Sequence, residues 1–188
     1  MRILTLVSTL LLACSASLAM AQSADKPPFV FTAIPDQDET RLVERFTKVA
    51  VYLEAKLGVP VKYVPVKSYP AAVTAFVNGQ VQLAWFGGFT GVQARAAAPG
   101  AIAIAQGAED DHFKSFMIAN ADTGLKPSPD FPFAIKGKSF TFGARASTSG
   151  RVMPEYQIRK AFGGSGPDEV FSRVGFSAHH PARAIGGL

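Results

Sequence analysis

Two rhythms of apolar and polar positions run along this chain. "FVFTAI" (29–34) is a short apolar run with β-branched members and reads as a buried strand. Acids gather next, in "PDQDET". From Thr40 the apolar residues fall at Leu42, Phe46, Val49, Leu53 and Leu57. Steps of three and four place them on one face of a helix. Asp36, Asp38 and Glu39 are set to cap its start and Gly58 to end it. "VPVKYVPV" (59–66) predicts a second strand, near a sheet edge because of its prolines. A second helix, "PAAVTAFVN", opens at Pro70 and closes at Gly79. "VQLAWF" (81–86) predicts a third strand ending at Gly87-Gly88, "FTGVQARAAA" a third helix, and "AIAIA" (101–105) a fourth strand. The order β-α-β-α-β-α-β argues for a mostly parallel sheet covered by helices.

The pattern then loosens. "HFKSFMIAN" (112–120) reads as a strand, followed by a crossing region rich in proline and glycine. "SFTFG" (139–143) is a strand, 151–162 a helix with Pro154 in its first turn, and "EVFSRVGF" (169–176) a further strand.

The first residues stand apart. One positive charge precedes an apolar run, and small residues lead to Ala19-Met20-Ala21. That is the layout of a secretory signal peptide over residues 1–21, cut before Gln22. The apolar run is shorter than the roughly 20 residues that span a bilayer. Cys14, the only cysteine, lies in "LLAC", which also reads as a lipoprotein box anchoring the chain through Cys14. The chain is therefore expected in the periplasm, held by its core rather than by disulfides. Its formal charge is +5, but the basic residues are scattered among acids, as in "DETRLVERFTK". That argues against nucleic acid and allows attraction of an anionic ligand.

Open α/β sheets bind ligands beyond the carboxyl ends of their strands. "PDQDET", "FGGFT" and "ASTSG" all occupy that position. Gly87 and Gly88 let backbone approach a ligand closely. Ser147, Thr148 and Ser149 present hydroxyls and backbone N–H groups where a helix begins, an arrangement that favours an oxyanion. Serine and threonine are also ordinary helix caps. Trp85 is expected in the core. Tyr69 suits either packing or ligand contact. No spacing suggests a metal site or a cofactor.

Three stretches together, "VPVKSYPAAVTAFVNGQVQLAWFGGFT", "IKGKSFTFGARASTSGRVMPEY" and "VGFSAHH", resemble the phosphate/phosphite/phosphonate family of periplasmic binding proteins. These are the substrate-capturing components of ABC importers. "AIPDQDE" and "AWFGGFT" also resemble a branch of that family labelled as selenate binders. The resemblance implies an α/β fold of the type II periplasmic binding protein kind, with two lobes of mostly parallel sheet. It implies a non-catalytic monomer that takes a small oxyanion and docks on a permease of the inner membrane. Carried over by position, it implies ligand contacts from Tyr69, Phe86, Gly87, Ser147, Thr148, Ser149 and His180. Phe86 stands where some relatives have tyrosine. The family's Gly-small-His-Asp loop reads Ala178-His179-His180-Pro181 here, so either histidine can be the contact.

Family members are longer than this chain. The expected layout is the first part of lobe 1 over 22–111 and an incomplete lobe 2 over 112–188, without a return to lobe 1. "ARAIGGL" has no counterpart in the resemblance. Weak or absent binding by this chain alone is the corresponding expectation, because a short second lobe buries little core. Two alternatives remain. One is a secreted serine hydrolase using Ser147 or Ser149 with His180, although no G-x-S-x-G elbow is present. The other is the ligand-binding module of a sensor.

Overall fold

The computed structural model describes residues 26–177. Three parallel strands form the first sheet: β1 (Phe29–Ala33), β2 (Val61–Tyr63) and β3 (Leu83–Trp85), in the order β2-β1-β3. Phe29 stands opposite Val61, and Phe31 opposite Leu83. β2 lies at an edge, as its flanking prolines require. Three helices connect and follow the strands: α1 (Glu39–Leu57), α2 (Tyr69–Val77) and α3 (Gly88–Ala97). A second sheet pairs β4 (Ser139–Phe142) in parallel with β5 (Arg173–Phe176), register Phe140 to Val174. Between them run a wide π-type turn (Thr148–Val152), α4 (Met153–Ala161) and the single turn α5 (Pro167–Val170).

Local chemistry accounts for the boundaries. Asp38 caps α1, its carboxylate accepting the Arg41 N–H at 3.0 Å. Glu39 sits in the first turn and pairs with Lys67, while Asp36 precedes the cap. Gly58 ends α1 at φ +63°, a left-handed conformation that costs glycine least. Ser68 caps α2, accepting from the Ala71 N–H at 3.2 Å.

Each sheet has its own core. Phe31, Leu42 and Phe46 are buried between β1 and α1, with Tyr63 closing the cluster. Phe46 and Tyr63 stack with centroids 5.0 Å apart, and Phe31 meets both rings. Phe142, Ile158, Val170 and Phe171 are buried against the second sheet.

The structure corrects three expectations. Residues 101–105 form no strand, and Ile102 and Ile104 stand exposed. Residues 113–120 likewise form no strand, with His112 ending a 3-10 turn and Phe116 80% and Ile118 84% exposed. The reason is common to both. A strand needs a neighbour for its N–H and C=O groups, and none stands beside these segments among the described residues. The stretch 169–176 is strand only from Arg173, because Pro167 starts a helical turn through Val170.

The Tyr63 hydroxyl is buried and has no hydrogen-bond partner among the described residues. Burial, then Asp36 and Glu39, raise its pKa above the ordinary tyrosine value. Two results are expected from chemical denaturation. Tyr63→Phe should be neutral or stabilising by about 1 kcal/mol, since it removes an unsatisfied polar atom. Wild type should lose stability as pH rises above about 10, where the unfolded chain ionises Tyr63 first. Tyr63→Phe should blunt that loss.

Candidate functional site

Ser147 begins the site. It is 3% exposed, and its Oγ accepts the Gly150 N–H at 3.0 Å. The Ser147 carbonyl accepts the N–H groups of Arg151 and Val152, both at 3.0 Å. These bonds wind the chain into the turn that feeds α4. Ser147 thus caps the turn as an acceptor, and its hydroxyl proton remains available to donate.

Thr148 does something different. Its Oγ1 accepts the backbone N–H of Phe89 at 2.8 Å, across 59 residues of sequence. Phe89 lies in the first turn of α3, where N–H groups have no partner within the helix. The Ser-Thr-Ser turn and the start of α3 thus face each other. An added Cβ at Gly87 would lie 3.5 Å from Thr148 Oγ1 and 3.4 Å from Ile34 Cδ1. One at Gly88 would lie 3.5 Å from the same hydroxyl. Both glycines leave room beside the Thr148 hydroxyl, although neither has positive φ.

Ser149 is half-buried. Its carbonyl accepts from the Ser115 hydroxyl at 2.8 Å, and its own hydroxyl makes no hydrogen bond among the described residues. Tyr69 is buried at the start of α2 with Ile34 and Ala72, and Phe86, Ala144 and Ala146 pack around them. Phe86 also meets Phe76 edge-on at 5.6 Å. Tyr69, Phe86, Gly87, Ser147, Thr148 and Ser149 accordingly lie in one neighbourhood. Trp85, expected in the core, is 40% exposed at the strand end. His180 and its neighbour His179 lie outside the described residues, as do Cys14 and the leader.

Other contributors escaped the sequence. Thr90 is wholly buried, and its Oγ1 bonds both the N–H and the carbonyl of Gly87, at 3.1 and 3.2 Å. A threonine three residues past a helix-start glycine is a capping signal that could have found it. Ser115 had no such signal, because its partner is a backbone carbonyl 34 positions away. Among the described residues no group of acids, histidines or cysteines could hold a metal ion, and no helix is long and apolar enough to cross a membrane.

The turn tolerates no side chain at Gly150. An added Cβ would lie 2.8 Å from Ser147 Oγ and 3.2 Å from the Gly143 Cα. Gly150→Ala should destabilise the chain by about 1–3 kcal/mol through overpacking, read as a lower melting temperature. Ser147→Ala should cost less, about 0.5–2 kcal/mol, as a lost cap.

Comparisons with known proteins show the family and the fold. The family of ABC-transporter phosphonate periplasmic substrate-binding proteins matches residues 31–186, which reaches into the terminal segment that the sequence resemblance left uncovered. The probable ABC transporter phosphite-binding protein PhnD1 of Prochlorococcus marinus is 43% identical over 152 residues, covering 80% of this chain and 51% of that protein. The phosphate-import protein PhnD of Mycolicibacterium smegmatis is 30% identical, covering 76% of this chain and 48% of that protein. The structure of the Prochlorococcus protein in complex with methylphosphonate superposes with a TM-score of 0.65 at 37% identity, over 83% of this chain and 58% of that one. A phosphonate-transporter binding protein of Pseudomonas aeruginosa, 22% identical, gives the same TM-score over 86% of this chain and 53% of that one, and supports the fold. The chain spans about half the length of the curated relatives it matches. None of the relatives named here carries the selenate label. With a parallel α/β fold, two facing helix starts and a match along most of its length, the chain belongs to the family of periplasmic substrate-binding proteins of phosphonate ABC transporters, which bind and do not catalyse.

Proposed function

We propose that this chain carries the oxyanion grip of a periplasmic importer component for phosphonate, phosphite or phosphate. The observation that supports it is the 2.8 Å hydrogen bond from the Phe89 N–H to Thr148 Oγ1. That bond holds two helix starts face to face. Each start presents N–H groups without a helical partner and the positive end of a helix dipole. An anion between them meets donors from both sides, which is the setting that favours a multiply charged oxyanion over a neutral solute.

In this reading the residues divide their work. Ser149 offers its hydroxyl, and Thr148 donates its own hydroxyl proton while accepting from Phe89. Ser147 shapes the turn from beneath and leaves N–H groups at the turn's start. Gly87 lets the α3 start come close, with Phe86 and Tyr69 forming the apolar wall. His180, carried over from the family resemblance, completes the set. A phosphorus oxyanion is preferred to selenate because the relatives are a phosphite-binding protein, a phosphate importer and a methylphosphonate complex. Residues 1–21 would export the chain, or Cys14 would anchor it, and residues 22–111 and 112–188 would contribute to separate lobes. The loaded protein would deliver its anion to a permease of the inner membrane.

The test is a calorimetric titration of residues 22–188 with methylphosphonate, phosphite, phosphate, sulfate and selenate at matched ionic strength. Phosphorus oxyanions should bind in preference to the other two. Ser149→Ala should weaken binding about tenfold while leaving the melting temperature of the free protein unchanged, since one charge-assisted hydrogen bond is lost and no internal one. Equal affinity of wild type and Ser149→Ala, or preference for selenate, would overturn the proposal.

A further inference from the structure

Behind the Ser-Thr-Ser turn lies a cavity of about 370 Å³, lined by Arg145, Arg151 and Arg159. Glu155 sits among them. Arg151 and Arg159 flank it at four residues on either side, on one face of the helical segment. Arg151 Nη2 donates to Glu155 Oε2 at 2.6 Å. Arg159 donates to Oε1 from Nη2 at 2.9 Å and from Nε at 3.0 Å. Both carboxylate oxygens are thereby used. Arg145 arrives from the loop after β4, its guanidinium carbon 3.7 Å from the centroid of the Phe176 ring.

Donors outnumber acceptors in this cavity. Each guanidinium carries five N–H groups and no acceptor. Two guanidiniums, Arg151 and Arg159, share Glu155, Arg145 has no acid partner there among the described residues, and Asp168 is the other acid of the lining. The Arg151 Nε is buried and has no hydrogen-bond partner among the described residues. A buried donor without an acceptor is a standing cost to the fold. Val174, Pro167 and the edge of Phe176 supply the apolar part of the lining, with Phe142 buried beneath. The volume lies at the small end of ligand pockets, which run from roughly 300 to 1,000 Å³.

We infer that this cavity is a second anion site, for a small organic carboxylate with a short apolar body. The guanidinium fork matches a carboxylate in two parallel hydrogen bonds. The apolar walls take the hydrocarbon, which inorganic phosphate lacks. The site is separate from the oxyanion grip, although Arg145 and Arg151 bracket Ser147, Thr148 and Ser149 in sequence.

Hexanoate is the probe, titrated into residues 22–188 and followed by melting temperature and by amide chemical shifts. Wild type and Ser149→Ala should respond alike, which separates this site from the oxyanion grip. Arg145→Gln should weaken the response about tenfold, as expected for loss of a charged hydrogen-bond pair. Arg151→Gln should do the same. Should that variant fail to fold because Glu155 loses a partner, Arg145→Gln decides alone, since its contact is with a ring. Absence of a hexanoate response in wild type, or an undiminished one in Arg145→Gln, overturns the site. Displacement of hexanoate by equimolar inorganic phosphate overturns the carboxylate assignment.

Discussion

The hydrogen bond between the Phe89 N–H and Thr148 Oγ1 is the interaction on which the site depends. It joins an element that follows the first sheet to one that follows the second. Neither sheet alone brings two helix starts together. The Phe89 amide is available for it because it belongs to the first turn of a helix and has no partner within it. Small residues make it possible. Gly87 and Gly88 leave space on one side, and Gly150 lets the Ser147 turn close tightly on the other.

Around that contact the polar groups are arranged in layers. Thr90 is buried and ties the Gly87 backbone through its hydroxyl. Ser147 is buried and caps its own turn. Ser115 holds the Ser149 carbonyl from the extended segment that leaves the first sheet unit. These three hydroxyls orient backbone, while Thr148 and Ser149 keep theirs at the front. Beneath them Tyr69, Ile34 and Ala72 form an apolar floor with Phe86 and two alanines of the Ser-Thr-Ser loop. A floor without water strengthens any charge-dipole interaction above it.

The positive charge of the chain is placed rather than merely present. Arg151 and Arg159 hold Glu155 near the second sheet, and Arg145 lines the same cavity from over Phe176. In sequence they look like the same scattered basic residues as those of α1. Their grouping follows from the helical repeat, which puts Arg151, Glu155 and Arg159 on one face, and from the loop that brings Arg145 to the end of β5.

Sequence alone determined the elements whose signals are local. The spacing of Leu42, Phe46 and Val49 dictates α1, Gly58 its end and Pro70 the first turn of α2, because caps and helix faces depend on neighbours within four residues. It also determined the candidate hydroxyls and, through the motifs that carry the resemblance, the family. Tertiary structure decided what required distant partners. "AIAIA" and "HFKSFMIAN" have strand-like patterns, yet no neighbouring strand takes up their backbone groups among the described residues. Trp85 has the composition of a core residue and stands exposed, because burial depends on what packs over a strand end. The pairing of Thr148 with Phe89 spans 59 residues. Only the folding of both sheets around their own cores brings two such positions within 3 Å, and no local rule of periodicity or capping reaches that far.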